Sequence, residues 1–219
     1  MSDAPLRVGV LAVQGAVSEH EDALQRAAAA AGLAVEVVAV RTPDALAGVT
    51  GLILPGGEST TISRLLRTAE LQEPLRERAA AGELALFGTC AGMILLAQRA
   101  EDEAQVAKKD IELLGLLEAE VDRNAFGRQR ESFEADLDVN GWSLPLPAVF
   151  IRAPRFTKVW GDTQALAEAG GGAVLVQRGR IMAAAFHPEL TPDTRLHERF
   201  LALAAEAAAA AAVRPAPTA

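Results

Sequence analysis

Short apolar runs alternate along this chain with amphipathic or alanine-rich stretches. Residues 6–13 (LRVGVLAV), 34–40 (AVEVVAV), 51–54 (GLIL) and 84–87 (LALF) have the near-continuous apolar character of strands buried on both faces. Residues 18–31 and 60–81 between them have helical character, and Pro74 predicts a break in the second. Buried strands alternating with helices predict an α/β fold, a mostly parallel central sheet with helices on both faces. Ligands of such sheets bind outside the carboxyl ends of the strands.

The pattern changes after residue 100. Residues 101–110 (EDEAQVAKKD) form a charged run that reads as a solvated connection or helix. From 118 to 159, short strand-like pieces separated by Asn140-Gly141 and LPLP predict added antiparallel or mixed strands. Residues 173–176 and 181–186 flank QRGR and predict a hairpin. A last helix is expected from about Asp193 into the alanine tract. The chain then reads as one domain over 1–213 with a flexible tail, 214–219.

Composition narrows the possibilities. Half of the 219 residues are hydrophobic, yet no window reaches the roughly 18–20 uninterrupted apolar residues of a membrane span. The N-terminus has no basic region or small-residue cleavage site. A single cysteine excludes an internal disulfide, so a reducing, cytoplasmic setting is expected. The net charge of −8 comes from scattered acids without a basic stripe, which argues against nucleic acid or anionic membranes as partners.

That cysteine, Cys90, lies in FGTCAGMILLA, between an apolar run and a helix-like one. Strand, glycine-flanked turn and helix make the layout of a nucleophile elbow, where Gly88 and Gly92 allow close approach around a strained central residue. A helix N-terminus beside the thiol favours the thiolate. A thiol nucleophile needs a base. Of the three histidines, His20 falls in the first turn of a helix, and His197 is most simply a surface residue of the last one. His187 ends an apolar run in AAAFHPEL. Glu189, two residues on, faces the same way in an extended segment and can orient the imidazole. Pro55-Gly56-Gly57-Glu58-Ser59 follows a third strand, and its glycines can present N–H groups to a substrate oxyanion. Ser59 or Thr60 is the expected cap of the helix that follows. The histidines are far apart in sequence and give no zinc-ligand spacing, and no phosphate-binding loop is present, so neither metal nor cofactor is expected.

These stretches, with VGVLAVQGAVSEH, VDRNAFGRQRESFEADL and VFIRAP, resemble the triad-type (class I) glutamine amidotransferases. More narrowly they resemble the glutaminase subunits of pyridoxal 5′-phosphate synthase, over residues 8–191. The resemblance implies Cys90 as nucleophile, His187 as base and acid, and Glu189 as orienting carboxylate. It implies an oxyanion hole from the N–H groups of Gly57 and Ala91. Glutamine would be held by Gly57, Glu58, Ser59, Arg123, Ile151 and Arg152. It also implies a (β/α)₈-barrel synthase as partner, receiving ammonia through an internal tunnel, with Gln14 near the site and the interface. Two alternatives stay open at this point: a glutaminase serving another pathway, and a non-catalytic redox or chaperone-like protein on a similar sheet.

Overall fold

The structure is a computed structural model that describes residues 4–101, 111–123 and 132–213. Residues 1–3, residues 102–110 of the charged run, residues 124–131 of the VDRNAFGRQRESFEADL segment and the 214–219 tail lie outside the described residues.

The N-terminal half alternates strand and helix. In order come β1 (Leu6–Leu11), α1 (Val17–Ala31), β2 (Val35–Val40), α2 (Pro43–Ala47), β3 (Gly51–Leu54), α3 (Ser59–Thr68), α4 (Gln72–Ala80) and β4 (Ala85–Thr89). A short helix, α5 (Ala91–Leu96), leads into β5 (Ala97–Glu101). Strands then dominate: β6 (Leu117–Asp122), β7 (Ser132–Leu137), β8 (Leu146–Ile151), β9 (Arg155–Val159), β10 (Gln164–Ala169), β11 (Gly172–Arg178) and β12 (Ile181–Ala184). A 3₁₀ turn (Pro188–Leu190) and α6 (Arg195–Val213) complete the described chain.

The main sheet runs β2-β1-β3-β4-β12-β11-β9-β6-β5, with β10 beside β11. Its first five strands, β2 to β12, are mutually parallel, and β11, β9 and β6 extend it by antiparallel pairing. A separate antiparallel pair, β7–β8, stands beside it. The expected mostly parallel sheet with antiparallel additions is thus present. So is the hairpin around QRGR: β11 and β12 pair with Arg178 opposite Ile181, and Gly179 at φ 52° turns the chain.

Three expectations need correction. The break in the 60–81 stretch falls at Glu70, not Pro74. Glu70 is left-handed (φ 56°), its N–H bonds to Arg67 and that of Leu71 to Leu66, so α3 ends in a Schellman motif. Pro74 lies in the first turn of α4, where a missing N–H costs nothing. The helix-like run after Cys90 does not continue past Leu96, where a strand takes over. All six residues of α5 are buried, so no polar stripe distinguishes it from the strand that begins at Ala97. The cap of α3 is the carboxylate of Glu58, which accepts from the N–H groups of Thr60 and Thr61 at 3.2 and 2.6 Å.

Strand registry brings the chemistry to one rim. Leu54 lies opposite Gly88, and Ala184 opposite Thr89. The segments leaving β3, β4 and β12 therefore emerge side by side, carrying the glycine turn, Cys90 and His187.

Candidate active site

Cys90 caps α5 at φ 48°, ψ −102°, a conformation that side-chain-bearing residues rarely adopt. Its N–H bonds to the carbonyl of Ala184 at 2.8 Å, tying the elbow to β12. The flanking glycines allow the required closeness. A Cβ on Gly92 would stand 2.0 Å from the Leu54 carbonyl oxygen, and one on Gly88 would stand 2.7 Å from the Gly92 backbone. A third glycine does the same work in a way its sequence position does not announce: a Cβ on Gly56 would meet the His187 ring at 2.6 Å and the Cβ of Cys90 at 3.4 Å.

His187 is held from both ends. Its backbone N–H bonds to Val149 of β8 at 2.8 Å, and its Nδ1 lies 2.7 Å from Oε1 of the buried Glu189. Its ring and Cys90 close on Gly56 from either side, and the thiol favours the charged imidazole; with Nδ1 taken by Glu189, Nε2 is the nitrogen left for the sulfur. The segment is not extended, as the i, i+2 reasoning assumed. Residues 188–190 form a 3₁₀ turn, which curls the carboxylate back under the imidazole. Burial opposes a charge on His187, but the bonds to Cys90 and Glu189 outweigh it and raise its pKa to about 10. Burial likewise works against ionised Glu189, yet the bond to His187 and the neighbouring positive charge keep its pKa below the ordinary value.

These groups open onto a cavity of about 540 Å³. Gln14, Gly56, Gly57, Glu58, Ser59, Cys90, Ala91, Arg123, Ile151, Arg152 and His187 all line it. Every expected site residue except Glu189 thus faces the cavity, and Glu189 stands behind His187. Ala91 opens α5, so its N–H has no intrahelical acceptor. Arg123 donates to Ser59 Oγ at 3.1 Å, and Gln14 Oε1 accepts from the Glu58 N–H at 3.0 Å. Arg152 adopts φ 45° where β8 gives way to β9. The Glu58 carboxylate is occupied as a helix cap. Burial opposes its ionisation, but its bonds to Thr60 and Thr61 lower its pKa to about 2, so its charge serves the turn.

A thiol beside a part-buried histidine backed by a buried carboxylate, next to a glycine turn and two arginines, suits nucleophilic attack on an amide of a carboxylate-bearing substrate. A model of the SNO glutamine amidotransferase family matches residues 10–206. The chain belongs to this family. It is 52% identical over 203 residues to the pyridoxal 5′-phosphate synthase subunit PdxT of Deinococcus radiodurans, covering 93% of this chain and 100% of that one. Against the PdxT subunit of Thermus thermophilus it is 49% identical over 197 residues, covering 90% and 97%. A crystal structure of a glutamine amidotransferase superimposes with a TM-score of 0.79 at 47% identity, covering 90% of this chain and 98% of that one. A glutamine amidotransferase from Thermotoga maritima shares the fold, with a TM-score of 0.56 at 14% identity over 92% of this chain and 94% of that one.

Within this SNO-family chain, the sequence reading missed two groups. His197, expected at the surface, and His20 are both fully buried. His20 Nε2 lies 3.0 Å from Thr89 Oγ1 and 3.4 Å from Glu189 Oε2, and its Nδ1 lies 3.2 Å from His197 Nε2. The histidines that looked distant in sequence meet beside the cavity. Among the described residues, no group of three or more histidine, cysteine or acidic side chains is placed to hold a metal ion. No described helix is long and apolar enough to cross a membrane.

Proposed function

We propose that this chain hydrolyses L-glutamine to L-glutamate and ammonia, and supplies the ammonia to the synthase subunit of a pyridoxal 5′-phosphate synthase. The observation that carries the reading is the Cys90–His187–Glu189 relay at the wall of the cavity, with 2.7 Å between imidazole and carboxylate. The Cys90 thiolate attacks the side-chain amide carbon. N–H groups of Gly57 and Ala91 stabilise the oxyanion, a contribution of roughly 3–4 kcal/mol per donor. Protonated His187 gives its proton to the departing ammonia, leaving a glutamyl thioester. Water deprotonated by His187 then attacks the thioester and releases glutamate. Glu189 keeps the imidazole oriented and its cationic form stable throughout.

Substrate recognition follows from the same wall. Arg123 and Arg152 supply guanidinium donors for the substrate carboxylate, with Ser59, Ile151 and the backbone at Gly57 and Glu58 shaping the remainder. We assign the barrel form of the synthase, and an internal ammonia passage between the subunits, from the resemblance of the motifs. Residues 1–213 act as one glutaminase domain, and a lone free cysteine suits a reducing cytoplasm.

The test is glutamate release from glutamine, with and without the purified synthase partner. Synthase-dependent release that falls at least about a thousandfold in Cys90→Ala is expected. Release persisting in Cys90→Ala, or none from the folded wild type with its synthase, overturns the proposal.

A further inference from the structure

The relay does not end at Glu189. Its Oε2 is buried and makes no hydrogen bond of ordinary length among the described residues. The group facing it is His20 Nε2 at 3.4 Å, and both side chains are closed to solvent. His20 comes from the first turns of α1, Thr89 from the end of β4 and His197 from α6. Three elements remote in sequence thus converge behind the triad carboxylate.

The tautomers follow from the contacts. A lone pair on His20 Nε2 would oppose a carboxylate oxygen, so Nε2 carries the proton, shared between Thr89 Oγ1 at 3.0 Å and Glu189 Oε2. The 3.2 Å contact between His20 Nδ1 and His197 Nε2 then takes its proton from His197. The reverse arrangement would also strand the Nδ1–H of His197, which is buried without an acceptor, and orphaned buried donors are rarer than orphaned acceptors. Burial lowers the pKa of both histidines below the ordinary value, that of His197 to about 3, so both are neutral at pH 7. The other charged groups acting here are Glu19 and Arg26 of α1 and His187 itself.

We propose that His20 is a positioning residue for the reaction: its Nε2–H donates toward Glu189 Oε2 and fixes the plane of the carboxylate that orients His187, while His197 holds the His20 ring in the tautomer this requires. At 3.4 Å the contact is longer than an ordinary hydrogen bond, and its effect is that of an oriented N–H dipole in a site closed to water. The assignment rests on the reading of Cys90, His187 and Glu189 as a triad.

Three measurements on the full-length protein test it. A ¹⁵N–¹H correlation spectrum of histidine-labelled wild type is expected to show His20 as the Nε2–H tautomer. Alkylation of Cys90 by iodoacetamide, followed against pH, reads the thiol–imidazole pair without glutamine. His20→Leu is expected to move its acidic limb up by about 0.7 unit, the size of one modest hydrogen bond. With synthase present, the same variant should lower kcat about fivefold at unchanged KM, and His20→Gln, which keeps an N–H at similar reach, should recover most of both effects. An Nδ1–H tautomer in the wild type, or an unmoved or downward-moved limb in folded His20→Leu, overturns the assignment. Should His20→Leu fail to fold, the wild-type tautomer and the behaviour of His20→Gln decide. Wild type that alkylates normally but never hydrolyses glutamine overturns the proposed function instead, and His20 is still judged by the tautomer and the limb.

Discussion

His187 and His197 titrate in opposite senses, and the difference sets how stability varies with pH. The His187 pKa is raised above its ordinary 6.5 to about 10, so its stabilising contribution is complete below about 6.5 and disappears as pH climbs towards 10. His197 is buried neutral with a pKa of about 3. The unfolded chain takes up a proton there that the folded chain refuses, so stability falls as pH drops from 6.5 towards 3. Thermal melts across this range should show a maximum near pH 6.5. Glu189→Gln, which removes a carboxylate stabilising His187 in its charged form, should flatten the alkaline side; on the acidic side it removes the carboxylate's own contribution below about 4.5 but keeps the fall caused by the buried, neutral His197. The meeting of Cys90, His187 and Glu189 was legible in the sequence at this scale because GTCAG and HPE each combine a reactive side chain with turn chemistry. His20 and His197 were not, since a single histidine on a helix carries no sign of which face is buried.

Among the elements, α3 and α4 show how a boundary can be misplaced. Proline drew the predicted break four residues past its true position, because the residue that reverses the chain is an ordinary exposed glutamate. Left-handed backbone costs a residue with a Cβ about 1–2 kcal/mol, part of which glycine's greater unfolded-state entropy offsets. Glu70→Gly should therefore stabilise the protein by about 0.5–1 kcal/mol, read as a higher midpoint in urea at unchanged m-value. The central parallel strands β3 and β12 were legible because both faces are covered, making each an uninterrupted apolar word, whereas β1 and β2 keep the exposed Arg7 and Glu36 within apolar runs. The β6–β9 region was legible only as scattered strands. β7 pairs with its neighbour β8, but β6 and β9 pair across that hairpin, and no local pattern announces it.

Across the whole molecule, order of burial should set order of opening. Every residue of β3, β4 and β12 is buried, whereas β5 is exposed from Gln98 onward at the edge of the sheet. Native-state amide exchange should be slowest in β3, β4 and β12, approaching the global unfolding free energy, and faster in β5 by orders of magnitude. Exchange as fast in β4 as in β5 would contradict this ranking. The overall α/β class followed from the alternation of strand and helix. What the sequence could not convey was that the hairpin's second strand slots in beside β4.

That insertion has a consequence for a chain still being made. Translation delivers β4 and the Cys90 that follows it long before β12 and the His187 that follows that strand, and until β12 arrives β4 keeps an unpaired edge. A truncated or half-synthesised polypeptide thus holds a thiol with neither its proton acceptor nor its neighbouring strand. The meeting of thiol and imidazole and the completion of the sheet arrive in a single event late in synthesis.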